Sequence, residues 1–314
     1  MPAAAEMLHL DVTQTVDLQS PQAVLAAIDA LLHGCYGADY GRPLLERAMS
    51  DLVAAFCGDY PGLLRCDTHY HDLRHAMDSG LAMARLIRGL CVSLPVEDSK
   101  YLDREHALLG VLLALYHDIG LLRRAEEAQM QGAQLTPVHE ARGVVFMRDY
   151  LGRTVLSQLA HKSELIMVTR LLSHLPAQMC VRDRTLASLL GTADIYAQLA
   201  DRAYLEKCRD FLFAEFTTFG LAGTPDSAYP TARVLLEKTP AFYTGLLRPR
   251  IDTEYDGAAR YLSVNPDGRC PYAEAIARNL GEPNRNGFAT TSAPNFLLLQ
   301  LHQGEEPAIT VFLE

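Results

Sequence analysis

Apolar positions recur at three- and four-residue spacing through most of the chain, the period of helices that bury one face. Runs of this kind predict helices over 21–34, 43–57, 72–90, 104–118, 137–150, 163–174, 184–202, 204–219, 231–247, 252–262 and 271–280. Their ends carry punctuation: Ser20-Pro21 and Thr136-Pro137 each place a capping hydroxyl before a first-turn proline, and Ile119-Gly120 closes the fourth run. That fourth run is apolar almost all round, as a central helix should be. Period-two alternation is nearly absent until 308–313, which reads as a tail able to dock as an edge strand. The polar segment 121–135 reads as a lid or as a solvated loop. The stretch 281–296, rich in Gly, Pro, Asn and Thr, reads as a surface excursion. The prediction is an all-α protein with an N-terminal helical segment 1–60, a main domain 61–280 and a tail 281–314.

Composition narrows the picture. A chain of 314 residues can bury about three quarters of its unfolded surface. With 49% hydrophobic and 21% charged residues it is not a disordered sequence. The longest apolar run, 107–116, is about half of what a bilayer-spanning helix needs. The net charge of −10 argues against general affinity for nucleic-acid backbones or anionic membranes. No basic n-region opens the chain, and Glu6 and Asp11 come early, so no signal peptide is expected. Seven cysteines, an odd set without C-x-x-C, suit reduced thiols in a cytoplasmic protein with no disulfides. Phosphate-binding glycine loops and the G-x-S-x-G elbow are absent.

Chemistry concentrates in the histidines, eight of eleven of which fall between residues 69 and 174. With Leu73 at zero on a helical wheel, His71, His75 and Asp78 fall at about 160°, 200° and 140°. They share one face, opposite Leu73, Met77, Gly80, Ala84 and Ile87. Two imidazoles at i and i+4 are either a solvated polar face or a pair with a partner or an ion to hold. His117-Asp118 ends the most hydrophobic helix, where the imidazole can cap carbonyls or, with its neighbour, coordinate a metal. His139 lies just inside a helix start, and the following sequence is not H-E-x-x-H because Gly143 occupies the second histidine's place. His174 closes a predicted helix before Pro176, as a ligand or a dipole complement. Asp194, Gln198 and Asp201 form one helical stripe, with Asp201 read as solvated and paired to Arg202.

Taken together, His75, His117-Asp118 and Asp194, in that order and on predicted helices, resemble the metal set of HD-domain phosphohydrolases. The run from Tyr70 to Asp78 further resembles the Y-H-N-x-x-H-A-x-D stretch of cyclic nucleotide phosphodiesterase catalytic domains, with Asp72 at the Asn position. The resemblance spans about residues 66–204. It implies an HD/phosphodiesterase-like helical bundle occupying 61–280. It also implies that His75, His117, Asp118 and Asp194 hold a first divalent ion, that Asp118 bridges to a second, and that His139 and His174 complete the second site. His71 matches the residue that protonates the leaving oxygen. The chain departs from both parents at Leu121, which stands where phosphodiesterases place a further His and many HD proteins a Lys.

A phosphodiester is anionic and resists water, so its hydrolysis needs charge neutralisation, a hydroxide at neutral pH and a proton for the leaving alkoxide. Mixed imidazole and carboxylate ligands suit Fe, Mn, Mg or Zn, and two such ions can supply the first two needs. With His71 as the acid and Asp118 shared by the ions, the expected reaction is hydrolysis of a phosphodiester, foremost a cyclic nucleotide. Asp78 or Asp72 is expected to keep His71 charged. Arg74, Arg142 and Lys162 are candidates for phosphate neutralisation, against ordinary surface charge, and Gln198 for substrate binding. Phe211, Phe213, Phe216, Phe219, Phe242 and Tyr243 read as a base pocket or as core. The alternatives are a nucleotide phosphomonoesterase or another HD hydrolase, and a non-catalytic HD signalling module. The partner expected is a small phosphoester, with no nucleic acid and no membrane.

Overall fold

The structure, a computed structural model, describes residues 8–263 and 269–281. Among these residues there is no β-strand, only isolated bridge pairs, and the fold is helical. The expected tail strand at 308–313 and, but for Gly281, the excursion 281–296 lie outside the described residues. No helix among the described residues is long and apolar enough to cross a membrane. The seven cysteines are free thiols.

Ser20 sets a helix start as the sequence suggests, whereas Thr136-Pro137 does not: both lie inside a 3-10 turn, where the Thr136 hydroxyl donates to the Ala133 carbonyl, and the next helix begins only at His139 without a side-chain cap. The helix α1, Pro21–Tyr36, begins under the Ser20 hydroxyl and α2, Arg42–Cys57, follows a left-handed Gly41. Asp72 accepts from the backbone N–H of His75 at 2.9 Å and starts α3, Leu73–Ser93. Asp103 does the same for α4, Arg104–Tyr116. Both α1 and α2 lie in one core that extends from Val12 to Ile276, with Ile28, Leu32, Leu45 and Leu52 fully buried. Residues 106–116 of α4 are all buried, because this helix has neighbours on every side: α3, α6, α2 and α5. The helix α5, His139–Gly152, crosses the end of α4, and α6, Val181–Ala200, packs along α3.

Three stretches depart from the expected helices. The run expected over 163–174 is instead a 3-10 helix, Ser157–Thr169, followed by turns. Its last carbonyls are taken by a distant guanidinium: buried Arg250 donates to Val168, Arg170, Leu171 and Ser173 oxygens. With those acceptors satisfied from outside, the chain has no need to continue as a helix. The expected helix 204–219 forms as α7, Tyr204–Lys207, and α8, Phe213–Thr218, joined by a π-turn over Cys208–Leu212. The run 231–262 comprises α9, Ala232–Phe242, and π-turns to Glu254, and breaks at Asp256 and Gly257, both in the left-handed region. A last helix, α10, Pro271–Asn279, packs on α6.

The segment 121–135 is neither a lid free to swing nor a plain loop. It contains short 3-10 turns at Ala125–Glu127 and Gly132–Val138, and is stapled at several points. Arg142 grips Glu127 through two nitrogens at 2.6 and 2.8 Å and also holds the Gly120 and Leu122 carbonyls. Asp67 accepts from Gly132 N–H at 3.0 Å and pairs with Arg123.

Candidate metal centre and adjoining cleft

Four elements converge on one buried point. His75 comes from the first turn of α3, His117 and Asp118 from the end of α4, His139 from the first position of α5 and Asp194 from the middle of α6. Ligand atoms of His75, His117 and Asp194 all lie within 4.8 Å of one another. The Nε2 atoms of His75 and His117 are 3.1 Å apart, and Asp194 Oδ1 is 3.3 Å from each. Asp118 reaches both ways: Oδ2 lies 3.4 Å from His75 Nε2 and 3.1 Å from His117 Nε2, and Oδ1 lies 3.3 Å from His139 Nε2.

Three observations test whether this set suits a cation. First, His117 Nδ1 contacts the Ala114 carbonyl at 2.8 Å and His139 Nδ1 the Thr136 carbonyl at 2.6 Å. A carbonyl only accepts, so each Nδ1 donates, and in the neutral ring each Nε2 presents a lone pair to the cluster. Second, Asp118 Oδ2 is buried without a hydrogen bond. Third, the charges demand a positive centre. Burial opposes a charged His117, yet Asp118 and Asp194 outweigh it and hold its pKa well above the ordinary value. Burial lowers that of His75, with His117 adding to the effect. Against burial, His117 holds both carboxylates below their usual range. Within the protein, the imidazole of His117 is the group set against both acids, the place a divalent ion fills in such ligand sets. The residues fit a metal.

His71 stands one turn before His75 and is bound elsewhere. Its Nδ1 lies 2.7 Å from Glu215 Oε2, while Glu215 Oε1 accepts the backbone N–H groups of His69 and Tyr70 at 2.9 and 2.8 Å. Burial disfavours the imidazolium, but the Glu215 carboxylate raises its pKa to about 9. Neither expected partner performs this role: Asp72 caps α3, and Asp78 is buried on the next turn, away from this bond. Sequence reasoning missed Glu215, although a lone carboxylate inside the aromatic run 211–219 was the available signal.

Other expected site residues are engaged differently. His174 is not brought into the centre; its side chain is 87% exposed and sits by Glu254 at 3.4 Å, because the helix expected to carry it ends at Thr169. Gln198 donates to Asp194 Oδ1 at 2.6 Å and accepts from Tyr70 Oη at 3.2 Å, so it orients a ligand and does not present a free amide. Arg74 pairs with Asp201, Arg142 holds Glu127, and Lys162 meets Asp183 at 2.5 Å. Asp201 is buried between Arg74 and Lys207, neither solvated nor paired with Arg202. The aromatics divide: Phe213, Phe216 and Phe219 build a small apolar cluster with Tyr229, Phe242 and Tyr243 pack on the main core, and Phe211 faces a cleft.

That cleft, of about 340 Å³, lies between Gln131 and the 210–218 stretch, and Glu215 forms part of its wall. His69 and Phe211 line it with ring centroids 5.7 Å apart, and Thr218 closes one side by donating to Gln131. No lysine or arginine lines it.

A family model described as Npun_R2479-like matches residues 125–279, just under half of the chain. That family has no assigned function, and the match does not link the chain to HD-domain proteins. The matched stretch contains His139, Asp194 and Glu215, whereas His71, His75, His117 and Asp118 precede it. No curated protein and no solved structure matches the chain.

Proposed function

We propose that this chain is an HD-type metal-dependent phosphohydrolase with an HD/phosphodiesterase-like bundle, cleaving a phosphodiester, foremost a cyclic nucleotide. One observation carries the reading: a buried His75, His117, Asp118 and Asp194 set with a charged His71–Glu215 pair one helical turn away. His75, His117, Asp194 and Asp118 Oδ2 would hold one ion, while Asp118 Oδ1 and His139 offer donors to a second. Bound there, Fe, Mn, Mg or Zn supplies Lewis acidity toward phosphate oxygens and water acidified to a pKa of about 7.

The remaining work belongs to the chain's own groups. Glu215 accepts Nδ1–H of His71 and favours the imidazolium, leaving the Nε2 proton for the departing oxygen. A water oxygen adds to phosphorus and releases a proton to solvent as the P–O bond to the leaving oxygen breaks; the Nε2 proton passes to that alkoxide, His71 becomes neutral, and solvent reprotonates it. Glu215 stays ionised throughout. The adjoining cleft is large enough for the nucleoside part of such a substrate, with Phe211 and His69 as ring contacts. Arg74, Arg142 and Lys162 are committed to carboxylates, which supports a singly charged diester over the dianion of a monoester.

The test is incubation with Mn²⁺ or Fe²⁺ and either 3′,5′-cyclic nucleotides or linear nucleoside monophosphates, with products separated by chromatography. Opening of the cyclic ester to a monophosphate, abolished by EDTA, is the expected result. Release of inorganic phosphate from the linear nucleotides alone would make the protein a phosphomonoesterase. Metal binding without turnover of either would leave a signalling module.

A further inference from the structure

An imidazole that binds a metal through one nitrogen needs its other N–H held, since that bond fixes both tautomer and ring orientation. His117 and His139 have such holders in the Ala114 and Thr136 carbonyls. His75 does not. Its Nε2 faces the cluster, and among the described residues no protein group hydrogen-bonds its Nδ1. One turn on, Asp78 is 5% exposed, and its Oδ1 is buried without a hydrogen-bond partner. A buried carboxylate oxygen without a donor is costly, and a water held beside it is one way a fold meets that cost.

The two unmet needs border one space. A small chamber between α3 and α6 is lined by Tyr70, His75, Asp78, Gln198, Asp201 and Lys207, and its accessible volume of about 10 Å³ admits the centre of roughly one water. The other polar groups in its wall already have partners. Asp201 accepts from Arg74, Lys207 and the Ala203 N–H, and Gln198 bridges Tyr70 and Asp194.

We propose that this chamber binds one ordered water that accepts Nδ1–H of His75 and donates to Oδ1 of Asp78, making Asp78 a positioning residue for the metal centre. The inference rests on the reading of the cluster as a metal site. It separates two roles that usually run together: Asp78 costs the metal-free fold stability and contributes to holding the ion.

The test uses Mn²⁺ as probe with the full chain, its Asp78→Leu and Asp78→Asn variants, calorimetric titration, and thermal unfolding without metal. Asp78→Leu is expected to weaken Mn²⁺ binding about 10- to 100-fold while the metal-free protein melts no lower than the wild type. Asp78→Asn, which keeps an acceptor, is expected to restore most of the affinity. A crystal structure of the Mn²⁺-loaded wild type is expected to show a water between His75 Nδ1 and Asp78. Unchanged Mn²⁺ affinity in Asp78→Leu, or a chamber without that water, overturns the proposal while the metal reading stands. A wild type that binds no Mn²⁺ removes both.

Discussion

His71 is asked to be buried and charged at once, and Glu215 is what reconciles the two. In the proposed reaction its replacement by Ala should leave metal content intact and lower kcat by about 10²–10⁴-fold, the usual worth of a positioned acid. Asp118→Ala, by contrast, should lose metal and activity together, which elemental analysis of both variants distinguishes. The pH dependence follows from the same pair. A group whose folded pKa is raised, here to about 9, contributes stability below its unfolded value of about 6.5 and loses it as pH rises through the folded value. Activity that needs imidazolium should therefore fall on the alkaline side, at or below pH of about 9, since bound cations push this limb down. Glu215→Gln should move the limb to lower pH without changing metal content, and a pH profile of kcat/KM that stays put would remove Glu215 from this role. His75, His117 and Asp194 were legible because helical spacing and a helix end put them on known faces. Glu215 was not, since it meets His71 across 144 positions of sequence, a distance over which periodicity carries no information.

Elements were legible where local chemistry decides them. Ser20, Asp72 and Asp103 cap their helices through their own side chains, and each capped start fell where the pattern put it. The failure at 163–174 has a distant cause, because Arg250 supplies the donors that end that segment and lies about 80 positions away. His174 was lost with it. Gly120 shows how closely the remaining elements are fitted. A Cβ there would collide with the carbonyl of His139 and press on Arg142, so only glycine lets the turn after Asp118 touch the start of α5. Gly120→Ala should shift His139 away from Asp118 Oδ1. The expected outcome is a loss of about 1–3 kcal/mol in stability and a fall in bound metal from two ions toward one. Denaturant unfolding and metal stoichiometry check the two halves separately.

At the scale of the whole molecule, the helical class was readable from the periodicity of the chain, while the meeting of α3, α4, α5 and α6 was expected only through the resemblance and not from any pattern of faces. Amphipathic faces say that helices pack, not which ends come together. That meeting has a thermodynamic consequence. An ion held by residues of all four elements binds the native state and finds no such site in the unfolded chain. Free metal at 100 times its dissociation constant should then stabilise the fold by about 2.7 kcal/mol. For a chain of this size that corresponds to a rise in Tm of roughly 4 °C. The gain should appear as slowed amide exchange near His75, His117, His139 and Asp194 together, because pulling any one element away breaks the same coordination. EDTA should reverse it, and acidification should do so too as the imidazoles take up protons in place of the ion. If Mn²⁺ leaves Tm unchanged, or protects α6 alone, these residues do not act as one metal centre.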